Sequence, residues 1–290
     1  MSSSGAILSV RAIRLAGNCN ISRPNTGAAM STVEKFPQGA PAWVDLQSPD
    51  PEASKTFYNA LFGWRYTDST SSAQGSYATA TIGGIPVAAI AGQTTEAVEA
   101  GVPTAWNTYF AVDDLDATLE KVIPAGGLVV MPATDVSGSG RMAAIEDGIG
   151  TPLLLWESGQ HTGAGLINEP GTIVWHELAA DNWDHAVPFY LAVLGGEPHE
   201  EQVDGGTFTM LKAAGMYVAG FKEPETEDRS PRWEVYFGTE DADTAVVVAQ
   251  KGGGTVLREP VDIPGVGRIA MLQDPHGAIF WVLQEPAVEG

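Results

Sequence analysis

The chain contains one stretch twice. Trp43-Val44-Asp45-Leu46 leads through a polar turn to Phe57-Tyr58 and Leu61-Phe62-Gly63, and Trp175-His176-Glu177-Leu178 leads to Phe189-Tyr190 and Val193-Leu194-Gly195. In both copies the Trp and the acid lie two apart, which on a strand puts them on one face. A second signature repeats as well. Asp135-Val136-Ser137-Gly138-Ser139-Gly140-Arg141 precedes Asp147-Gly148-Ile149-Gly150, and Asp262-Ile263-Pro264-Gly265-Val266-Gly267-Arg268 precedes Asp274-Pro275-His276-Gly277. The internal spacings of these two runs match residue for residue. The chain is therefore a tandem duplication, and its function has to be read from what the copies keep and what each lacks.

A length of 290 residues accommodates two ordinary domains, each with its own core. The excess of 36 acids over 15 bases, a net charge of −21, argues against a nucleic-acid partner and against anionic membrane surfaces. The single Cys19 cannot form an internal disulfide, which fits a reducing, cytoplasmic location. No apolar run approaches the length that a bilayer span needs.

Residues 1–36 read as a disordered tail or a misassigned start, with Met30 as the alternative initiator; Arg11 and Arg14 interrupt what would be the apolar stretch of a signal peptide. The first domain is expected over 37–160, a linker over 161–169 and the second domain over 170–286. Within the first, Asp50 caps a helix that starts at Pro51, carries Ala53, Phe57 and Leu61 on its buried stripe, and exits at Gly63. Strand-like runs follow at Trp64–Tyr66, Tyr77–Ile82 and Ile85–Ala91, with Gly83-Gly84 as a hairpin turn. From Trp106 the same order starts again, with Asp113 or Asp114 capping the helix. In the second half Asn182 takes the capping place of Asp50, and Pro188 falls inside the helix, where it should bend it or cost about 3 kcal/mol. The order strand, helix, strand, strand, strand thus occurs four times.

These four modules, the Phe-Tyr pair before Leu-Phe-Gly or Val-Leu-Gly, and the Gly-Arg…Asp-x-x-Gly endings resemble the vicinal oxygen chelate superfamily, which includes glyoxalase I, bleomycin-resistance proteins and extradiol dioxygenases. The resemblance runs from Gly39 to Glu285 and is greatest to a tandem actinobacterial-type subgroup often labelled glyoxalase-like or hydroxylase, some of whose members accompany aromatic polyketide pathways. It implies an α+β fold of two tandem domains, each built from two βαβββ modules that form an open cup.

The resemblance also implies a divalent metal, held by His, Gln or Glu on the first strand of a module and Glu on its last strand. Carried onto this sequence, the first-strand positions are Trp43, Asn107, Trp175 and Trp233, and the last-strand positions fall at Leu154 and Trp281. None is a good ligand, so no metal and no cofactor is expected. His176 and Glu157 should face the helix side. Of the other histidines, His161 is placed in the linker, His185 in a helix's first turn, His199 in a loop and His276 in a turn, all as surface residues. Arg141 and Arg268 are expected to pair with Asp147 and Asp274.

The remaining chemical candidates are Asp45 and Glu177, which share the strand face of Trp43 and Trp175. Each could act as a general acid or base, accept a ligand hydroxyl, or simply be satisfied by backbone or Arg. Trp43, Asn107, Tyr109, Leu154, Trp175, Trp233 and Trp281 are the expected ligand-binding wall. Two functions compete on this sequence. One is a metal-free protein that binds a small aromatic or hydrophobic molecule, as an accessory or resistance factor in secondary metabolism, with a partner enzyme and an intramolecular pseudo-dimer of its halves. The other is a glyoxalase-like lyase, or a hydroxylase- or isomerase-type enzyme, that uses the cup carboxylates or a non-standard metal site.

Overall fold

The structure is a computed structural model that describes residues 32–69, 76–203 and 206–286. The expectations for Cys19 and for the tail up to residue 31 lie outside these residues; within 32–36, Phe36 is buried and Lys35 pairs with Asp113 at 2.9 Å. The first module is β1 (Pro41–Ser48), α1 (Pro51–Phe62), β2 (Arg65–Ser69), β3 (Tyr77–Ile82) and β4 (Ile85–Gly92). A short helix, α2 (Thr95–Glu99), capped by the Thr94 side chain, lies in the connection between the first two modules. The second module is β5 (Ala105–Ala111), α3 (Leu115–Val122), β6 (Leu128–Asp135), β7 (Gly140–Glu146) and β8 (Pro152–Ser158). The third is β9 (Ile173–Ala179), α4 (Trp183–Val193), β10 (Glu197–Val203), β11 (Gly206–Ala213) and β12 (Met216–Lys222). The fourth is β13 (Arg232–Gly238), α5 (Ala242–Lys251), β14 (Thr255–Ile263), β15 (Gly267–Gln273) and β16 (Ile279–Gln284). Among the described residues no helix is long and apolar enough to cross a membrane.

The strands form two open eight-stranded sheets, in the orders β2-β3-β4-β1-β5-β8-β7-β6 and β10-β11-β12-β9-β13-β16-β15-β14. In every module the last strand returns parallel to the first, while the strands before it run as antiparallel hairpins. This is the α+β architecture that the resemblance implies.

Local chemistry explains most element ends. Asp50 accepts the Ala53 amide, Pro51 opens α1, and Gly63 closes it at φ 71°, a left-handed exit that suits glycine. Asp114, rather than Asp113, caps α3. The capping place of Asp50 is less well filled in the second half, since the Asn182 side chain makes no capping hydrogen bond. Pro188 does sit inside α4. Arg141 and Arg268 also differ from expectation. Arg141 pairs with Asp116 and Glu157, and Arg268 with Asp243 and Asp262, because Asp147 and Asp274 are committed elsewhere.

The residues cluster into two compact units, and each draws on both repeats. One comprises the segment ending at Trp43, Thr108–Gly163 and Trp175–Glu234; the other comprises Val44–Asn107, Ala164–Val174 and the segment from Val235. In the first, α3 packs on α4 over a core that includes Phe110, Leu115, Leu155, Phe189, Tyr190, Phe221 and Trp233. The Tyr190 hydroxyl donates to Asp147 Oδ2 at 2.8 Å and accepts Trp233 Nε1 at 3.0 Å. In the second, α1 packs on α5, and Tyr58 donates to Asp274 Oδ2 at 3.2 Å while accepting Trp106 Nε1 at 3.0 Å. The other oxygen of each aspartate takes two backbone amides of its own turn: Ile149 and Thr151 for Asp147, His276 and Ala278 for Asp274. The two repeated signatures are thus two halves of one structural lock, each Tyr meeting the Asp of the other repeat.

Candidate functional site

The three-dimensional repeat aligns β1 with β9, β4 with β12 and β5 with β13. In the first repeat Asp45 lies opposite Ala89 across the parallel β1–β4 pair; in the second Glu177 lies opposite Gly220 across β9–β12. Counting along the strands, Ala91 corresponds to Lys222, Trp106 to Trp233, Asn107 to Glu234 and Ala105 to Arg232. Asn107 therefore corresponds to Glu234, one residue beyond Trp233.

In the compact unit that contains the start of β13, three carboxylate oxygens converge on one ammonium. Lys222 Nζ lies 2.9 Å from Glu234 Oε2, 3.2 Å from Glu177 Oε2 and 3.6 Å from Glu225 Oε1. Glu234 Oε1 also takes the Arg232 guanidinium at 2.8 Å, and Trp175 Nε1 donates to Glu177 Oε1 at 3.2 Å. Lys222, Glu177 and Glu234 are buried. Burial would lower the Lys222 pKa, but Glu234, Glu177 and Glu225 outweigh it and hold the amine above the ordinary lysine range, so it stays charged. Gly220 makes room for the longer acid. A Cβ there would stand 3.3 Å from Glu177 Cγ and 2.6 Å from Phe208 Cζ, whereas the shorter Asp45 of the other repeat tolerates Ala89.

The first-repeat counterpart, in the other compact unit, has no lysine. Asp45 is buried, and its Oδ1 takes Asn107 Nδ2 at 2.8 Å and, more weakly, Gln47 Nε2 at 3.4 Å. Asn107 and Gln47 are both part-exposed, so this carboxylate is held by amides at the edge of solvent. One repeat carries an amide-bound acid and the other an ion cluster, built on equivalent strand positions.

Of the other expected wall residues, Trp43, Tyr109, Leu154, Trp175 and Trp233 belong to one compact unit and Trp281 to the other. Trp43 packs edge-on against His161, with ring centres 4.5 Å apart. Trp156 packs near His161 and Tyr109, and its Nε1 donates to the His161 carbonyl. His161 is thereby part-buried rather than on the surface, and burial lowers its pKa. Leu154 lies opposite Tyr109 in the β5–β8 pair. Trp233 belongs to the helix-side core around Tyr190 and Phe110. Trp281 is fully buried and stacked on Tyr236 at 5.1 Å, with the Arg258 guanidinium over its ring at 5.9 Å. His199 is on β10 rather than in a loop and packs against Tyr217.

His176 and Glu157 do face the helix side. Glu157 accepts the Leu115 amide and Arg141, and His176 is buried with its Nδ1 3.3 Å from Thr108 Oγ1 and no hydrogen-bond partner for Nε2. Glu234, Lys222, Glu225, Arg232 and Gln47 are site residues that the sequence reading passes over. Matching Trp106 to Trp233 would have found Glu234, and a lysine ending an apolar strand would have drawn attention to Lys222.

Among the described residues no group of three or more His, Cys, Asp or Glu side chains is placed to hold a metal ion. Where carboxylates do converge, an ammonium already fills the point between them; where the repeat lacks the ammonium, only Asp45 offers charge. The divalent ion implied by the resemblance does not fit these residues.

Comparison with known proteins bears on the same geometry. The sequence profile of the Glyoxalase/Bleomycin resistance protein/Dioxygenase superfamily matches residues 40–153 and 172–282. CFP32 of Mycobacterium tuberculosis, provisionally named a glyoxylase, is 46% identical over 86% of this chain and 96% of its own length. DnrV of Streptomyces peucetius, an anthracycline biosynthesis protein, is 40% identical over 86% of this chain and 94% of its own. Among solved structures, the Mn(II)-bound glyoxalase from Novosphingobium aromaticivorans superposes with a TM-score of 0.60 at 16% identity, covering 86% of this chain and 83% of that one. The 2,3-dioxygenase LapB from Pseudomonas sp. KL28 gives 0.59 at 16% identity, covering 90% and 96%. At these identities the structures show the fold alone.

Proposed function

Because the chain belongs to the Glyoxalase/Bleomycin resistance protein/Dioxygenase superfamily, we propose that it uses that fold without a metal, to bind a hydroxylated aromatic metabolite of natural-product metabolism. The observation that carries this reading is the Asp45–Asn107 hydrogen bond of 2.8 Å. A carboxylate at this position is a strong acceptor, and a charge-assisted bond from a ligand hydroxyl to it is about twice as strong as a neutral one. Asn107 and Gln47 add amide groups that recognise further oxygens. The 40% identity to DnrV, near full length on both chains, supports a polycyclic, hydroxyl-bearing aromatic as the ligand class. Glu177 is held by Lys222 and Trp175 and plays a lesser part in that recognition. A partner enzyme that receives the ligand belongs to the same proposal, as does a pseudo-dimer of the two halves in one chain.

The kinship to CFP32 favours a second reading, a glyoxalase-like lyase. A lyase of that family requires a divalent ion, and the donor set argues against it. Titration with a hydroxyanthraquinone while following Trp emission separates the two. Saturable quenching is expected, with Asp45→Asn weakening binding roughly tenfold, the value of one charge-assisted hydrogen bond. Absence of saturable binding would sink the proposal. So would unchanged affinity in Asp45→Asn together with lost turnover, which would mark Asp45 as a general base.

A further inference from the structure

The mismatch between the donor set and the family's metal has a specific physical form in the second repeat. Three carboxylates, Glu177 on β9, Glu225 after β12 and Glu234 on β13, place an oxygen within 3.6 Å of a single atom, and that atom is Lys222 Nζ. Three buried or half-buried anions around a point are stable only if a cation sits there, since uncompensated carboxylates in a low-dielectric site are strongly disfavoured. We propose that the Lys222 ammonium is a resident cation, an intramolecular substitute for a divalent ion, and that the three carboxylates, which as they stand are not placed to hold a metal, close on a hard cation only when that ammonium is removed.

The repeat supplies an internal control. Where the second half has Lys222, Glu234 and Arg232, the first half has Ala91, Asn107 and Ala105. The lysine and the second acid occur together in one repeat and are both missing from the other, so the two belong to one charge-balanced device. The Arg232 guanidinium on Glu234 Oε1 orients that acid so that its other oxygen meets Lys222. Gly220 is part of the same arrangement, because a side chain there would press on Glu177. The donors are all carboxylate oxygens, so the cation this cage would accept in place of the ammonium is a hard one such as Mn2+ or Ca2+, not one that needs imidazole or thiolate.

This inference rests on the metal-independent reading above, and it is tested by an experiment that uses no organic ligand, so the two can fail separately. Lys222→Ala removes the charge and opens the volume of the side chain. Mn2+ is titrated into the full-length wild type and the variant, and bound ion is read from the loss of the free-ion paramagnetic resonance signal. The wild type is expected to bind no Mn2+ at the cage. Lys222→Ala is expected to bind one ion per chain, at least roughly tenfold more tightly than any site of the wild type, and to gain several degrees in Tm on addition of Mn2+. Adding Glu234→Gln to Lys222→Ala should abolish both effects. Stoichiometric Mn2+ in the wild type that Glu234→Gln removes would overturn the proposal, as would a folded Lys222→Ala that binds none.

Lys222→Met keeps the fold testable if the alanine variant does not fold. The buried Glu177 and Glu234 lose their cation, and burial without it disfavours their charged forms, so its Tm deficit relative to wild type should be largest at pH 8 and shrink as pH falls toward 5. A deficit independent of pH would show that Lys222 only fills space, and would overturn the proposal.

Discussion

Tyr190 on α4 donates its hydroxyl to Asp147 Oδ2 at 2.8 Å, joining the helix of one repeat to a turn of the other. Both groups are buried, the Tyr190 hydroxyl also takes Trp233 Nε1, and burial beside Asp147 raises its pKa well above the ordinary tyrosine value. The same triad recurs as Tyr58, Asp274 and Trp106. What the duplication keeps most faithfully is this lock, not a set of reacting groups.

Removing one hydroxyl from the lock should be expensive. Tyr190→Phe leaves a buried carboxylate short of a donor and the Trp233 indole without an acceptor, so a loss of about 2–4 kcal/mol is expected. Urea unfolding measures it, and a double-mutant cycle with Asp147→Asn should show coupling of about 1 kcal/mol or more. Additive effects would mean that the hydrogen bond contributes little.

His176 sits in the core where the first repeat has Val44, and desolvation pushes its pKa down from 6.5 to about 3. The folded chain therefore holds it neutral while the unfolded chain protonates it below pH 6.5. The stability this confers is whole above pH 6.5 and is lost as pH falls toward 3, at up to about 1.4 kcal/mol per pH unit. His176→Val should match wild type or exceed it by about 1 kcal/mol at pH 7, and the advantage should widen at pH 5 and below. Parallel Tm-versus-pH curves for the two proteins would refute this.

Gly220→Ala places a methyl group 2.6 Å from Phe208 and 3.3 Å from Glu177. Overpacking of that order should cost about 1–3 kcal/mol. Shortening the acid with Glu177→Asp, which reproduces the Asp45–Ala89 pair of the first repeat, should recover part of the loss in thermal unfolding. Recovery is not expected in full, because Phe208 still presses on the new methyl.

Arg141 offers a contrast with the buried lock. Its pairs with Asp116 and Glu157 are part-exposed and screened by solvent, so Arg141→Ala should lower the Tm only slightly, and high salt should erase much of that. A loss comparable to Tyr190→Phe would show that Glu157, which also caps α3 through the Leu115 amide, depends on the guanidinium for its position.

By itself the sequence determined the duplication, the four βαβββ modules and most of their ends. These are local or periodic properties: Asp50, Pro51 and Gly63 bound a helix through their own backbone chemistry, and Gly83-Gly84, at φ 59° and 84°, turn a hairpin wherever it stands. Alternation along β1 and β9 likewise sends His176 to the side opposite Trp175 and Glu177. The tertiary structure decided the partners. Asp147 and Asp274 take tyrosines rather than the arginines that follow the same loops, because Tyr190 and Tyr58 arrive from helices 43 and 216 residues away. Lys222 becomes a resident cation only because strand pairing puts β12 beside β9 and β9 beside β13, gathering Glu177 and Glu234 around it. Spacing along a chain encodes which face a side chain takes. Which charge it meets there depends on strands and helices brought together from distant sequence, and only packing settles that.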